Sequence, residues 1–250
     1  MMKRACLSSI FVGSPDGNGP RTQINSSRGN LAFVAGAVNA GGFLAVRQYS
    51  SHVTGIVSAM ADNLALGDLP LVFTGLAAVV SFLLGAMCTA SMVLWARRRV
   101  LESEYALPLV VEASLLVIFG LTGRVFEGRS VLGIICLLSF TMGLQNAIVT
   151  KISGAVIRTT HLTGMVTDIG IKLGKVLYAT LSSRPSPERV EMKKLGLLTS
   201  LIGLFFAGGV IGALGFRHVG FLFTIPFAAI LLVLAAVPVI NDLRRRQIRA

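Results

Sequence analysis

Long apolar stretches separated by short polar ones dominate the chain from residue 31 onwards. A helix that crosses the hydrocarbon core of a bilayer needs roughly 20 mainly apolar residues. Six stretches reach or approach that length, at about residues 31–45, 71–95, 107–122, 131–150, 195–214 and 220–240. The first is short, but its apolar character continues towards Tyr49. The pattern therefore predicts an all-α polytopic membrane protein with six transmembrane helices.

The composition excludes a soluble protein. Hydrophobic residues make up 54% of the chain and charged residues only 14%, and the mean hydropathy is +0.77. A soluble domain of 250 residues needs more polar surface than this, whereas lipid tails solvate apolar side chains directly. The net charge of +12 does not indicate nucleic acid, because the basic residues lie between the apolar stretches. The three cysteines have no ligand spacing, so neither a disulfide nor a metal site is predicted.

The distribution of Lys and Arg predicts the orientation. Of the 23 basic residues, only Arg47, Arg124, Arg129 and Arg217 fall on one side of the six predicted spans. All the others lie before the first span, after the second, after the fourth or after the sixth. Because basic residues are retained in the cytoplasm, both termini are predicted to be cytoplasmic in a bacterial inner membrane. The polar residues 1–29 are predicted to form a disordered cytoplasmic tail, and residues 243–250 a basic one.

One pair of motifs occurs twice. Residues 36–40 read G-A-V-N-A and residues 51–55 read S-H-V-T-G, while residues 143–147 read G-L-Q-N-A and residues 160–164 read T-H-L-T-G. The two copies begin three predicted spans apart, and three is odd, so the second copy crosses the membrane in the opposite direction. The sequence therefore predicts two inverted three-helix repeats, residues 30–128 and 129–242, a plan that many secondary transporters share.

Two further features accompany the repeat. Each H-x-T-G segment is expected to interrupt a helix, because glycine weakens a helix and the preceding Ser or Thr can cap a new one. In the second copy, the new helix is expected over residues 163–175. Glycine also recurs in the next predicted span of each half, at Gly85 and Gly209.

At these motifs the chain resembles the bacterial YoaK-type family of small membrane proteins of unknown function. The resemblance covers about residues 30–242, and residues 158–165 (R-T-T-H-L-T-G-M) are its most specific part. In the first copy, Asn39 stands where the family pattern often has Asp, and Ile56 where it often has Asn. The resemblance implies a multi-spanning bacterial membrane protein and brings no established substrate.

The candidate residues for binding a substrate or ion are polar side chains in or beside the predicted spans. They are His52, Thr54, His161, Thr163, Asn39, Asn146, Glu112, Asp168 and Arg158. The histidines can exchange protons near neutral pH or cap helix ends, and the asparagines can contact substrate or join helices. The threonines can cap helices or bind an ion, and Arg158 and Asp168 can form ion pairs across the repeat interface.

Glu112 has three alternative roles. An intramembrane carboxylate is costly and is a functional candidate by default, so it can carry a coupling proton or pair with Arg158. It can also extend to the nearby cytoplasmic surface, because it lies only about a turn and a half into its predicted span.

The leading functional hypothesis is a small secondary transporter or exporter of a small molecule, with proton coupling as one option. In that hypothesis the two H-x-T-G segments face each other near the membrane midplane. The alternative is a non-catalytic membrane scaffold or accessory subunit in which the repeated motif only holds helices together. No catalytic motif is found, so no enzyme, cofactor or metal is predicted, and an enzyme acting on a lipid ranks third behind the transporter and the scaffold. The expected partners are the lipid bilayer and an unknown small molecule, with no nucleic acid, and the pattern is compatible with a homo-oligomer.

Overall fold

A computed structural model describes residues 20–46, 50–99, 103–126, 131–152, 162–181 and 192–249. Within these ranges all regular structure is helical, as predicted. The elements are α1 (Pro20–Val46), α2 (Val53–Ala65), α3 (Leu69–Arg98), α4 (Ala106–Phe126), α5 (Val131–Ile152), α6 (Leu162–Leu181), α7 (Met192–Val219), the short 3-10 helix η1 (Gly220–Phe223) and α8 (Thr224–Arg249).

Four helical stretches of the described chain are long and apolar enough to cross a membrane. They are Leu69–Arg98, Ala106–Gly123, Val131–Lys151 and the 47-residue stretch Lys194–Ile240, which contains α7, η1 and α8. The apolar part of α1, Gly29–Leu44, is shorter. These stretches make the chain a multi-pass membrane protein. The six stretches predicted as spans all lie in helical residues, the sixth over η1 and α8, but only four helical stretches of the described chain meet the length and hydropathy of a span.

Helix ends differ from the prediction at both termini. The first helix begins at Pro20, inside the tail predicted for residues 1–29. Proline suits the first helical position, because the backbone N–H that it lacks would make no hydrogen bond within the helix there. The last helix continues to Arg249 through the tail predicted for residues 243–250. Residues 1–19 lie outside the described residues.

The first helix of each half packs against a helix of the other half. Helix α1 packs most extensively against α7, and α5 packs most extensively against α3. Glycine allows both contacts, because a Cβ added at Gly36 would overlap the carbonyl oxygen of Phe205, and one added at Gly143 would overlap that of Phe82. Small residues allow helix backbones to approach this closely in membranes.

The return contacts repeat the same arrangement. A Cβ at Gly208 would overlap the carbonyl oxygen of Phe33, and a Cβ at Gly85 would overlap that of Phe140. The counterpart of Gly85 is therefore Gly208, and the sequence-based choice of Gly209 was wrong. A Cβ added at Gly209 would reach only ordinary contact, 3.7 Å from the carbonyl oxygen of Gly36.

The contact register gives the helix directions. Along α1 and α7 the contacting positions rise together, so these two helices are parallel; the pairs are Gly29 with Leu204, Phe33 with Gly208, Ala37 with Gly212 and Gly41 with Phe216. In the same way, Gly85 meets Phe140, and the Thr89 hydroxyl donates to the carbonyl oxygen of Leu144 at 3.0 Å, so α3 and α5 are parallel.

Helices α4 and α8 form the remaining large contact and run antiparallel. Gly123 meets Phe221, and Gly120, one turn earlier, meets Thr224, whose hydroxyl donates to the carbonyl oxygen of Leu116 at 2.9 Å. Aromatic rings pack edge to face beside this contact, with Phe119 against Phe221 at a centroid distance of 5.4 Å.

The two remaining helices lie on the outside of this bundle. Helix α2 packs on α3, where Ile56 and Met60 contact the region of Gly75, and a turn through Gly67 (φ +79°) connects the two helices. Helix α6 packs on α7 through Met165. The helix expected over residues 163–175 is confirmed, and it continues to Leu181.

Candidate functional site

In the first half, the two motifs of the repeat are joined directly. The Ser51 hydroxyl, in the turn before α2, donates a hydrogen bond of 2.6 Å to Asn39 Oδ1 on α1. Both residues are buried, and so is the neighbouring Ser50. A buried amide needs such a partner inside a helical bundle. Asn39 therefore ties the end of the helix interruption to α1, which agrees with the helix-joining role weighed for it.

His52 and Thr54 lie at the exposed start of α2. His52 occupies the N-cap position, but its side chain does not cap the helix, and both residues are exposed to the surroundings of the bundle. A helix N-terminus presents unsatisfied N–H groups and attracts negative charge. These two side chains belong to the α2–α3 pair and do not line the interior of the bundle.

In the second half, Asn146 is buried on α5. Its Nδ2 donates to the carbonyl oxygen of Met142 at 2.8 Å, and the Thr150 hydroxyl donates to the carbonyl oxygen of Asn146 at 2.7 Å. His161 and Arg158 lie outside the described residues.

The H-x-T-G segments are not brought together in the described residues. Thr163 is exposed at the start of α6 and Asp168 is half-buried on the same helix. Because α6 packs on α7 whereas α2 packs on α3, Thr163 and Thr54 belong to different helix pairs. The expectation that the two segments face each other at a shared central site gains no support from their described parts.

Glu112 on α4 is the candidate that the structure makes more prominent. Its exposed fraction is 0%, and neither carboxylate oxygen has a hydrogen-bond partner in the described structure. Extension to the cytoplasmic surface is therefore wrong for this conformation. The sequence-based expectation counted residues from one helix end, whereas α5 and α8 cover this face of α4.

Gln145 on α5 was missed as a candidate, although it lies inside the G-L-Q-N-A motif. It is also 0% exposed, and neither its amide oxygen nor its amide nitrogen has a hydrogen-bond partner among the described residues. A signal was present in the sequence, because the first copy of the motif has Val38 at the matching position. Gln145 is therefore a polar residue that the repeat itself does not require.

The helix bounds place Glu112 and Gln145 at matching positions along α4 and α5, which are in contact. Glu112 stands fourteen residues before Phe126, the end of α4, and Gln145 stands fourteen residues after Val131, the start of α5. The same register brings Phe119 and Leu138 into one hydrophobic cluster. At about 1.5 Å per residue, Glu112 is roughly 9 Å from the start of α4.

Most buried side chains near this level are apolar. Those on α4 and α5 belong to one core cluster and include Leu109, Ala113, Leu116, Leu144 and Ile148, while the buried amide of Asn146 has its own partner in Met142. Burying a polar group without a partner costs about 1–3 kcal/mol, and an unpaired charge costs considerably more. The polar atoms of Glu112 and Gln145 are therefore buried without hydrogen-bond partners among the described residues. Such atoms are suited to accepting a proton or binding a small polar ligand.

A second polar cluster lies outside the bundle, at the connection between α3 and α4. Arg97 Nη2 donates to Glu104 Oε1 at 3.1 Å and its Nε makes an ion pair with Oε2. Partial burial opposes ionisation of Glu104, but hydrogen bonds from Arg97 and Tyr105 outweigh it and hold the pKa of Glu104 below its ordinary value. Burial and the neighbouring carboxylate raise the pKa of Tyr105 to about 12.

The comparison with family models decides the membership of the chain. Residues 30–237, most of the sequence, match the model described as protein of unknown function (DUF1275). The chain belongs to this family. The assignment agrees with the YoaK-type resemblance of the repeated motifs. No curated protein and no solved structure matches the chain, so the DUF1275 membership brings no substrate or activity from a characterised relative.

The described part of this DUF1275 protein contains no cluster of three or more His, Cys, Asp and Glu side chains that could hold a metal ion. Cys88 and Cys136 are half-buried and unpaired. The chemistry that the described residues offer is therefore acid–base exchange and hydrogen bonding, concentrated at Glu112 and Gln145 inside the bundle.

Proposed function

We propose that this protein is a small secondary transporter of the bacterial inner membrane, built from two inverted three-helix repeats with both termini in the cytoplasm. One observation carries the proposal: α1 packs on α7, and α5 packs on α3, through matching glycine contacts. Inverted repeats that meet at a shared interface allow a protein to open alternately to the two sides of a membrane.

The helix directions support six crossings. If α1, α3, α4, α5, α7 and α8 cross in turn, the first and fifth crossings run the same way, and so do the second and fourth. The parallel packing of α1 with α7 and of α3 with α5 agrees with this, and so does the antiparallel packing of α4 with α8. The 47-residue apolar stretch holds two of the crossings, and α1 contributes one although its apolar part is short.

The charge distribution supports the orientation. In the six-crossing arrangement, Arg217 lies at the extracytoplasmic end of α7, and Arg97 and Arg98 lie at the cytoplasmic end of α3. Nineteen of the 23 basic residues then fall on the cytoplasmic side, as the positive-inside rule requires.

Transport is tested with the full-length protein in proteoliposomes. A panel of labelled amino acids, sugars, organic acids, amines and inorganic ions is offered with and without a pH gradient. We expect protein-dependent uptake of at least one class, absent from protein-free vesicles and from vesicles with Gly36→Leu protein. A folded, correctly inserted protein that moves no member of the panel would contradict the proposal.

The structural use of the repeated motif favours one alternative, a membrane scaffold or accessory subunit. Asn39 and Ser51 are engaged with each other, as a purely structural motif requires. A negative transport panel from folded protein would make this alternative the better explanation of the repeat.

A further inference from the structure

We propose that Glu112 and Gln145 form an occluded proton-binding site that couples transport to the proton gradient. This inference rests on the proposed transport function for its coupling role, but the site itself can be tested without any substrate. Three independent observations support it: the burial of both side chains, their matching positions on packed helices, and the lack of a polar counterpart of either one in the opposite half of the repeat.

Four buried polar atoms of the two side chains are unpartnered in the described part of the chain. Glu112 and Gln145 together present two carboxylate oxygens, one amide oxygen and one amide nitrogen, and none of the four has a hydrogen-bond partner among the described residues. Nearly all buried polar atoms in proteins have at least one partner. A proton on Glu112 removes the buried charge and supplies a hydrogen-bond donor to the amide oxygen of Gln145.

The common level makes such a pairing geometrically accessible. Glu112 and Gln145 are equally far from the connection between α4 and α5, and those helices pack directly against each other. The residues around them, including Ala113 and Leu144, contribute to one buried apolar cluster. Two long side chains at one level of neighbouring helices can form a hydrogen bond after rotation about their own side-chain bonds.

Neither polar group recurs in the matching helix of the other half. The counterpart of α4 is α8, in which no acidic residue lies between Thr224 and Ile240. The counterpart of Gln145 in the G-x-x-N-A motif is Val38 on α1. Apolar side chains therefore suffice for packing in α8 and at position 38, and the expense of a buried carboxyl on α4 and a buried amide on α5 requires another reason.

A proton fits the site better than a metal cation. Sodium or another hard cation needs several oxygen ligands, whereas Glu112 and Gln145 supply three. Helices α4 and α5 are continuous through this level, so their backbone carbonyls are engaged in helical hydrogen bonds. The apolar buried neighbours, such as Leu109 and Ile148, offer no ligand atoms, and the buried Asn146 already donates to the carbonyl oxygen of Met142.

The site is tested by infrared difference spectroscopy of the full-length protein in lipid, because the carbonyl stretch of a protonated carboxyl group is separate from the carboxylate and amide bands. We expect a protonated carboxyl band at neutral pH that exchanges slowly in heavy water. Glu112→Gln should abolish the band, and Gln145→Leu should shift it through loss of the hydrogen-bond partner. The matched control, Glu104→Gln, should leave it unchanged, since Glu104 is ionised beside Arg97.

Three results would overturn the site: no such band in folded wild-type protein, a band that survives Glu112→Gln, or a band that Gln145→Leu does not shift. A shift caused by sodium at constant pH would identify a metal cation in place of the proton. The Glu112→Gln side chain has nearly the same shape as the native one, and wild-type spectra alone decide the first result, so a misfolded variant does not obscure the test.

The two proposals fail separately. If the infrared test succeeds and the transport panel is negative, the proton site stands and the transporter falls. If transport is found but wild-type protein shows no Glu112 band, the transporter stands and this coupling site falls. When both succeed, Glu112→Gln should abolish substrate accumulation driven by a pH gradient while retaining exchange of substrate across the membrane.

Discussion

The two halves of the molecule are alike where helices pack and different where polar groups are buried. The contact of Gly36 with Phe205 is repeated by Gly143 with Phe82, down to the same backbone carbonyl. By contrast, Glu112 and Gln145 are not repeated, because α8 has no acidic residue between Thr224 and Ile240 and Val38 stands opposite Gln145. Recurrence in this protein therefore marks residues that hold the fold together.

The connections between the second and third spans of each half also differ. In the first half, Arg97 near the end of α3 makes an ion pair with Glu104, two residues before α4. In the second half, the matching connection is the 3-10 helix η1, which begins at Gly220 with φ +78° and leads directly into α8. In the second half, glycine contacts hold this connection, because Gly123 meets Phe221 and Gly215 meets Phe223. In the first half, the ion pair takes that place.

The largest expected effect is the accessibility of the two repeat copies from opposite sides of the membrane, and labelling at each position should be all or none. Thr54 and Thr163 are matching, exposed positions at the starts of α2 and α6. In a background without Cys6, Cys88 and Cys136, a cysteine at position 54 should react with an impermeant maleimide on intact cells. A cysteine at position 163 should react only after the cells are permeabilised, because inversion places the two copies on opposite sides. Labelling of both positions from one side would rule out inverted halves.

The next effect concerns the glycine contacts themselves. Gly36→Ala and Gly143→Ala should each destabilise the protein by about 1–3 kcal/mol, since the added methyl group meets a backbone carbonyl that cannot move aside easily. The measurement is the shift of the thermal unfolding midpoint in detergent at one fixed heating rate. Similar losses in both variants would support equivalent interfaces.

Gly203→Ala is the matched control for this pair. It lies on α7, and an added Cβ there meets nothing within 4 Å. Its stability should be unchanged or slightly higher, because alanine favours helix by up to about 1 kcal/mol over glycine. A loss at Gly203 as large as that at Gly36 would show that the effect does not come from helix contact.

The smallest expected effect is a pH-dependent loss of stability at the connection between α3 and α4, which holds the ion pair. Because the pKa of Glu104 is lowered in the folded protein, its ion pair stabilises the fold above the ordinary carboxyl value of about 4.3, and this contribution is lost as pH falls through the lowered value. Glu104→Gln should reduce thermal stability at neutral pH by less than about 1 kcal/mol, since Arg97 is partly exposed. The difference between variant and wild type should shrink in acid; a constant difference would exclude the ion pair as its source.

Hydropathy and the repeated motif predict much of this fold, because both are local properties of the chain. They locate the apolar helices, the interruption before α2 and the glycines at positions 36 and 143. They do not predict that α1 packs on α7, since periodicity shows which face of a helix is apolar but not which helix covers it.

The site was less predictable for the same reason. The depth of Glu112 depends on helices that are distant in sequence, so counting from the helix end gave the wrong environment. Gln145 is not predicted, because the repeat points to residues that occur in both copies, such as Asn39 and Asn146, and a glutamine occurs in only one. His161 and Arg158 lie outside the described residues, and their roles remain predictions.

The exchange of partners between halves also sets an order for biosynthesis. Helix α1 leaves the ribosome before all of residues 47–191, yet the helix that covers its glycine face is α7. At 5–20 residues per second, that delay lasts roughly 7–30 s. During this interval the nascent α1 has lipid or the insertion machinery against the surface around Gly36, and the bundle closes only when translation of the second half is nearly complete.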